Sequence, residues 1–110
     1  MQLEFYWDKD GAPRARCRKI AKVVGGFLES DLQDSTAATI EVLNAIDEVE
    51  SGRLSSWERT GNAYTLTLSP DGTEIMDEMD DAGEAYPLSL SEIRELVGDW
   101  LTFLEEGRRS

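Results

Sequence analysis

The residues with the clearest chemical potential are carboxylates, which are concentrated in two blocks of the chain. Seven acids and no basic residue occur from Asp71 to Glu84, and seven more from Glu29 to Glu50. Such clusters could bind a hard cation, supply a catalytic acid–base pair, or contact a positively charged partner. Carboxylate catalysis needs one acid in an apolar pocket, yet the 71–84 block consists largely of turn-forming residues. We therefore expect a solvated or partner-binding segment rather than a metal or catalytic site.

The sequence contains no histidine and only one cysteine, Cys17. The lack of histidine excludes imidazole general bases, Ser–His and Cys–His nucleophile pairs, and most zinc sites. A single cysteine cannot form a disulfide within the chain. Gly25-Gly26 has neither the lysine and spacing of a Walker loop nor the third glycine of a dinucleotide loop. We therefore expect a protein that is not an enzyme and that uses no metal and no cofactor.

Length and charge narrow the function classes further. The 110 residues fit one domain, 1–110, and 40% hydrophobic residues are sufficient for a single core. Eleven basic residues against 23 acidic ones give a net charge of −12, which disfavours binding to nucleic acid. The sequence has no apolar run long enough for a membrane span and no signal-peptide pattern. We expect a cytoplasmic protein, with no nucleic acid or membrane among its partners.

Basic residues are concentrated near the amino terminus of the sequence. The spacing of the arginines predicts a row on the exposed face of a strand. Such a row could bind phosphate weakly, or it could pair internally with the acidic blocks, and we favour internal pairing because the rest of the chain is negative. The residues concerned are Arg14, Arg16, Arg18, Lys19 and Lys22.

The pattern of apolar and turn residues predicts two hairpins and two main helices in alternation. Strand-like runs flank Asp8–Gly11 and Gly61-Asn62, and Pro70–Gly72 leads into a further strand. Helical periodicity covers about residues 32–50, and a second helix begins near Ser91 as its N-cap. The predicted fold class is α+β, with a single antiparallel sheet of about five strands packed against two main helices.

Several stretches resemble the YacL-like family of small bacterial proteins, in order over nearly the whole chain. The most specific is Ser56-Trp57-Glu58-Arg59-Thr60-Gly61 followed by Tyr64-Thr65-Leu66. The resemblance implies an acidic α+β protein and supplies no catalytic residue. This sequence departs from the family in having no histidine near the two consecutive glycines. The other stretches are Leu3-Glu4-Phe5, Val23-Val24-Gly25-Gly26-Phe27 and Leu88-Ser89-Leu90.

Size and charge also give the chain a likeness to immunity proteins of bacterial toxin systems, including contact-dependent growth inhibition. Many such proteins are small, cytosolic and acidic, and they neutralise basic nucleases. We expect an immunity-type binding protein that occludes the active-site groove of a basic toxin domain. The alternative is a YacL-like housekeeping accessory protein that binds an endogenous cytosolic partner; a small carboxylate enzyme is less favoured. The predicted partner-binding residues are Asp71, Glu74, Asp77, Glu78, Asp80 and Asp81, followed by Asp47, Glu48 and Glu50.

Overall fold

Within the part of the chain that the structure describes, the fold combines three helices with six strands in two separate sheets. It is taken from a computed structural model that describes residues 3–17, 22–78 and 86–109. The α+β class predicted from the sequence is confirmed. In chain order the elements are β1 (Leu3–Trp7), β2 (Pro13–Cys17), α1 (Lys22–Phe27), a π-helical turn (Leu28–Leu32, the π-turn), α2 (Thr36–Glu50), β3 (Trp57–Thr60), β4 (Tyr64–Ser69), β5 (Gly72–Asp77), β6 (Tyr86–Leu88) and α3 (Leu90–Arg109).

The prediction of one five-stranded sheet is wrong in its connectivity. β1 and β2 form a two-stranded antiparallel hairpin, while β3-β4-β5-β6 form a four-stranded antiparallel sheet in sequence order. The fourth strand comes from Tyr86–Leu88, at the end of a segment that its polar composition predicts to be a turn. A strand of three residues carries too little periodicity to be recognised in the sequence.

The hairpin stays apart from the larger sheet because aromatic packing fixes it to α3. Phe5 meets Trp100 edge-on with ring centroids 5.0 Å apart, and Trp7 stacks on Phe103 at 4.8 Å. Such geometries favour aromatic pairs beyond the area that they bury. Gly107 permits this contact, because a Cβ at that position would overlap the ring of Trp7. The inner face of the hairpin therefore packs against α3.

The core lies between the four-stranded sheet and the helices. Leu66, Leu68 and Ile75 project from β4 and β5 and are fully buried together with Ile46 of α2 and Trp100 of α3. The two long helices pack side by side and run antiparallel, because the end of α2 meets the start of α3 at the Asp47–Arg94 ion pair. The helices therefore cover one face of the sheet, and its other face is left outward.

Capping explains where the long helices begin. Ser35 accepts a hydrogen bond from the N–H of Ala38, so α2 starts at Thr36 and not near residue 32. For α3, Ser89 and Glu92 exchange reciprocal bonds as a capping box, which makes Ser89 the cap instead of Ser91. The backbone N–H of Ser89 holds the pKa of the Glu92 carboxyl below its usual value. α3 continues to Arg109.

The π-turn connects the hairpin to the larger sheet. Glu29 accepts a hydrogen bond of 2.7 Å from the N–H of Ala15 in β2. Asp31, only 7% exposed, accepts bonds from the N–H groups of Ala63 and Tyr64 at 3.0 and 3.2 Å. Two acids of the 29–50 block therefore have structural roles. Glu29 joins the π-turn to the hairpin, and Asp31 joins it to the four-stranded sheet.

Candidate protein-binding surface

The outward face of the four-stranded sheet is the most distinctive surface of the described chain. Strand register aligns Glu58, Thr67, Glu74 and Pro87 in one row across four strands. A second row aligns Thr60, Thr65 and Met76. These seven side chains are here called the open sheet face: Glu58, Thr60, Thr65, Thr67, Glu74, Met76 and Pro87.

The open sheet face is acidic and carries no positive side chain. The only basic residue in strands β3 to β6, Arg59, belongs to the opposite, inward row. Glu58 and Glu74 form no ion pair with any described residue. They flank Thr67 on neighbouring strands, which places their backbones about 10 Å apart. Their negative charge is thus available to a partner, while Met76, 39% exposed, adds apolar surface.

A cleft of about 300 Å³ lies at one end of this face. Asp71 and Glu74 contribute its carboxylates, and Thr67 and Ser69 contribute hydroxyls. Asp71 is exposed in the β4–β5 turn and forms no ion pair with a described residue. These carboxylate and hydroxyl oxygens can accept hydrogen bonds from a cationic side chain.

The predicted residues that follow Glu74 divide between different environments. Asp77 is half-buried and lies opposite Tyr64, in line with the inward row. Glu78 is exposed and accepts a hydrogen bond of 2.5 Å from the hydroxyl of Thr65, next to the open sheet face. Asp80 and Asp81 lie outside the described residues. The structure thus places Asp71, Glu74 and Glu78 on or beside one surface, whereas Asp77 points elsewhere.

The acids predicted at the end of α2 are engaged by arginines. Asp47 and Glu50 both pair with Arg94 of α3, the former at 2.5 Å, and Glu48 pairs with Arg53 at 3.1 Å. Burial lowers the pKa of Arg94, but the hydrogen bond that it donates to Asp47 and the charge of Glu50 outweigh this effect and raise that pKa overall. These three carboxylates therefore link two helices and a loop, separately from the open sheet face.

The described arginines of the hairpin form ion pairs within the protein, but only one of these contacts is with a residue of the acidic blocks. Arg14 contacts Asp8 at 2.9 Å and Glu29 at 4.0 Å, and Arg16 contacts Glu4 at 3.8 Å. Backbone N–H donation from Ala12, followed by the bond from Arg14, lowers the pKa of Asp8. The partners come mostly from the hairpin itself rather than from the acidic blocks. Arg18 and Lys19 lie outside the described residues, and Lys22 is exposed on α1.

Two acidic features of the surface do not correspond to runs of acids in the sequence. Glu58 stands alone in its strand, and only its register with Thr67 places it beside Glu74. Exposed acids also recur at helical spacing on α3, where no continuous run exists. Helical periodicity was the signal that could have identified the second feature. Its members are Glu92, Glu95, Asp99 and Glu106.

Residues 3–17, 22–78 and 86–109 contain neither a metal-binding cluster nor a helix that could span a membrane. No group of three Cys, Asp or Glu side chains there is arranged to hold a metal ion. Over the same ranges, every helix is too short or too polar to cross a membrane.

The fold and its charge define a small acidic α+β protein, and comparison with known proteins supplies the family. The family described as "Uncharacterised protein family (UPF0231)" matches residues 1–92. A UPF0231 protein of Shewanella amazonensis is 30% identical, covering 98% of this chain and 100% of its own length. A UPF0231 protein YacL of Salmonella paratyphi B is 31% identical over 83% of this chain and 76% of its own.

This chain belongs to the UPF0231 family, and the YacL-like resemblance predicted from the sequence is confirmed. No solved structure matches it significantly. The family match ends at Glu92, so it includes the hairpin, the π-turn, the whole open sheet face and the capping box of α3.

Proposed function

We propose that this protein is a binding module that recognises a basic surface on another protein through its open sheet face. The observation that carries the proposal is the unneutralised pair Glu58 and Glu74, which flank Thr67 on a face that lacks any basic side chain. Helices cover the other face of the sheet, so burial of the open sheet face by a partner would require no rearrangement of the core.

Electrostatics and contact area have separate roles in this binding. A net charge of −12 steers a positive partner towards the protein and raises the association rate. Lasting affinity requires desolvated contacts, which Met76, Pro87 and the threonine methyl groups offer between the carboxylates. The cleft at Asp71 and Glu74 receives one lysine or arginine of the partner, where two carboxylates and two hydroxyls accept its N–H groups.

Two classes of partner satisfy this chemistry. One is a basic toxin domain, such as a nuclease, whose substrate groove the acidic face would occlude in the place of nucleic-acid phosphates. The other is an endogenous basic protein of the same cell. Family membership favours the endogenous partner, because relatives that align over most or all of their length occur in both Shewanella and Salmonella.

The test compares capture of partners by three forms of the protein immobilised at equal density. The native chain, the variant Glu58→Lys/Glu74→Lys and the matched control Glu41→Lys/Glu95→Lys are exposed to lysate of the native host at low salt. Both variants have the same net charge, and all four positions are exposed. We expect one basic protein that the native chain and the control retain and the open-face variant loses.

The measured association rate of that protein should fall at least about tenfold between 50 and 300 mM salt, because steering between exposed charges is screened. Equal loss of binding in both variants would show that only net charge matters and would overturn the proposed site. The identity of the captured protein separates the two partner classes. A nuclease that this chain inhibits at one-to-one stoichiometry establishes immunity, and any other basic protein establishes the accessory role.

A further inference from the structure

The outer edge of β1 presents backbone groups with which no strand of the described residues pairs. Within the hairpin, Asp8 donates its N–H to the carbonyl of Ala12, while Ala15 directs its N–H away from β1 to Glu29. Hydrogen-bonded and non-hydrogen-bonded pairs alternate in an antiparallel ladder. The N–H and C=O groups of Leu3, Phe5 and Trp7 therefore point outward from β1, and its only strand neighbour in the described chain is β2.

The other strand edges in the described chain are protected in ways that β1 is not. On β2, Glu29 occupies the N–H of Ala15, and Pro13 has no N–H to offer. The edge strand β6 has three residues, one of which is Pro87, and the edge strand β3 has four. Proline, short length and covering contacts are the usual means by which proteins block edge pairing. β1, with the sequence Leu-Glu-Phe-Tyr-Trp, has none of these within its five residues.

We propose that β1 pairs with β1 of a second copy of this chain, antiparallel about a two-fold axis at Phe5, to join two hairpins into a four-stranded sheet. In this register Phe5 faces Phe5 of the second copy, and Leu3 faces Trp7. All the outward N–H and C=O groups of the three residues then find partners.

Side-chain charges fit a second copy of this same strand. On the outer face Glu4 lies beside Arg16, and Tyr6 lies beside Arg14. Pairing about Phe5 places each Glu4 next to Tyr6 of the second copy, so every row across the joined sheet reads Arg, Glu, Tyr, Arg. Each negative side chain is then flanked by a cation on its own hairpin and an aromatic ring on the other.

The hairpin adds no net charge to the repulsion between two copies. The chain as a whole has a net charge of −12, whereas residues 3–17 contain three acids and three bases. Two five-residue strands bury less than the roughly 1,200 Å² of a standard stable interface, so the dimer is weak and forms at high micromolar concentration. Added salt should strengthen it by screening the overall repulsion, opposite to its effect on a basic partner.

Disulfide trapping tests both the pairing and its register. Glu4→Cys and Tyr6→Cys are made separately, each with Cys17→Ala, and are oxidised alone and as a mixture. In the proposed register the Cα atoms of residues 4 and 6 lie about 4.5 Å apart in a non-hydrogen-bonded pair, which suits a disulfide. Identical positions lie about 8 Å apart, too far for one. We expect the mixture to form at least about ten times more covalent dimer than either variant alone.

Sedimentation velocity provides a second readout without cysteines. The native chain should sediment increasingly as a dimer as its concentration rises towards the millimolar range. Glu4→Arg should weaken the dimer about tenfold, because it leaves each row with three positive side chains and no negative one, whereas Glu41→Arg on exposed α2 should not. Circular dichroism confirms that both variants fold. A monomer at every concentration, or equal cross-linking of a single variant and the mixture, would overturn the proposal.

Discussion

The carboxylate of Asp31 accepts two backbone hydrogen bonds from the β3–β4 hairpin and is 7% exposed. The guanidinium of Arg59 approaches the same place, since its Nη1 and an oxygen of Asp31 both lie within 3 Å of where a Cβ on Gly61 would be. That nitrogen is buried without a hydrogen-bond partner in the described chain. Its positive charge offsets part of the cost of burying Asp31. Such an acid holds the fold and is closed to a partner.

Replacement of Asp31 measures this structural role. Asp31→Ala leaves the N–H groups of Ala63 and Tyr64 without their acceptor and should lower the free energy of unfolding by about 2–4 kcal/mol. Urea unfolding followed by circular dichroism gives the value. Glu41→Ala removes an exposed acid from α2 and should change it by no more than about 0.5 kcal/mol. A similar decrease in the free energy of unfolding in both variants would mean that the hydrogen bonds of Asp31 do not stabilise the fold.

Individual residues also mark how far the sequence could predict the site. Asp71 and Glu74 are predictable because they lie in and just after a recognisable turn, on a strand with clear alternation. Glu58 is not, because its neighbours across the sheet depend on strand register. The pairing of Asp47 with Arg94 is not predictable either, because the two residues are 47 positions apart in the sequence. Composition identifies acids, but tertiary contacts decide which of them remain unneutralised.

At the scale of elements, the contact between the hairpin and the end of α3 depends on a glycine. The ring of Trp7 occupies the space that a side chain at position 107 would fill. Glycine inside a helix ordinarily costs about 1 kcal/mol relative to alanine. Gly98, in the same helix, has nothing within 4 Å of where its Cβ would be and thus provides a matched comparison.

The two glycines should respond to alanine in opposite ways. Gly98→Ala should raise the free energy of unfolding by about 0.5–1 kcal/mol through helix propensity alone. Gly107→Ala should lower it despite the same gain, because Trp7 must leave its stack on Phe103. Thermal unfolding reports the sign of each change, and tryptophan fluorescence should shift only for Gly107→Ala. Stabilisation by both substitutions would show that the hairpin does not pack closely on α3.

The sequence predicts these elements better than it predicts their assembly. The first hairpin, the β3–β5 meander and both long helices are recognisable from periodicity and turn residues, which are local signals. No local signal predicts that the hairpin forms a separate sheet, because this depends on the packing of Phe5 and Trp7 against the aromatic residues of α3. The sequence also does not predict that α1 continues through Gly25-Gly26. Only the close approach of Tyr64 to Gly26 in the fold explains the glycine at position 26.

At the scale of the whole molecule, negative charge lies on both layers of the fold. Glu58 and Glu74 project from the sheet, and the acidic stripe of α3 projects from the helices. Because acids lie on both layers, a basic partner is attracted from many directions. Direct contacts with the open sheet face must then select the correct partner. The same distribution makes the folded state repel itself, because folding brings these charges closer together.

Self-repulsion predicts how stability responds to salt. Raising sodium chloride from about 10 to 300 mM shortens the Debye length from about 30 Å to less than 10 Å and should increase the midpoint of thermal unfolding. The few exposed ion pairs that salt also weakens contribute too little to reverse this. Glu41→Lys/Glu95→Lys changes the net charge from −12 to −8 and should show a smaller increase over the same range. A midpoint that falls with salt would mean that the paired arginines, rather than the unpaired acids, dominate the electrostatic free energy of folding.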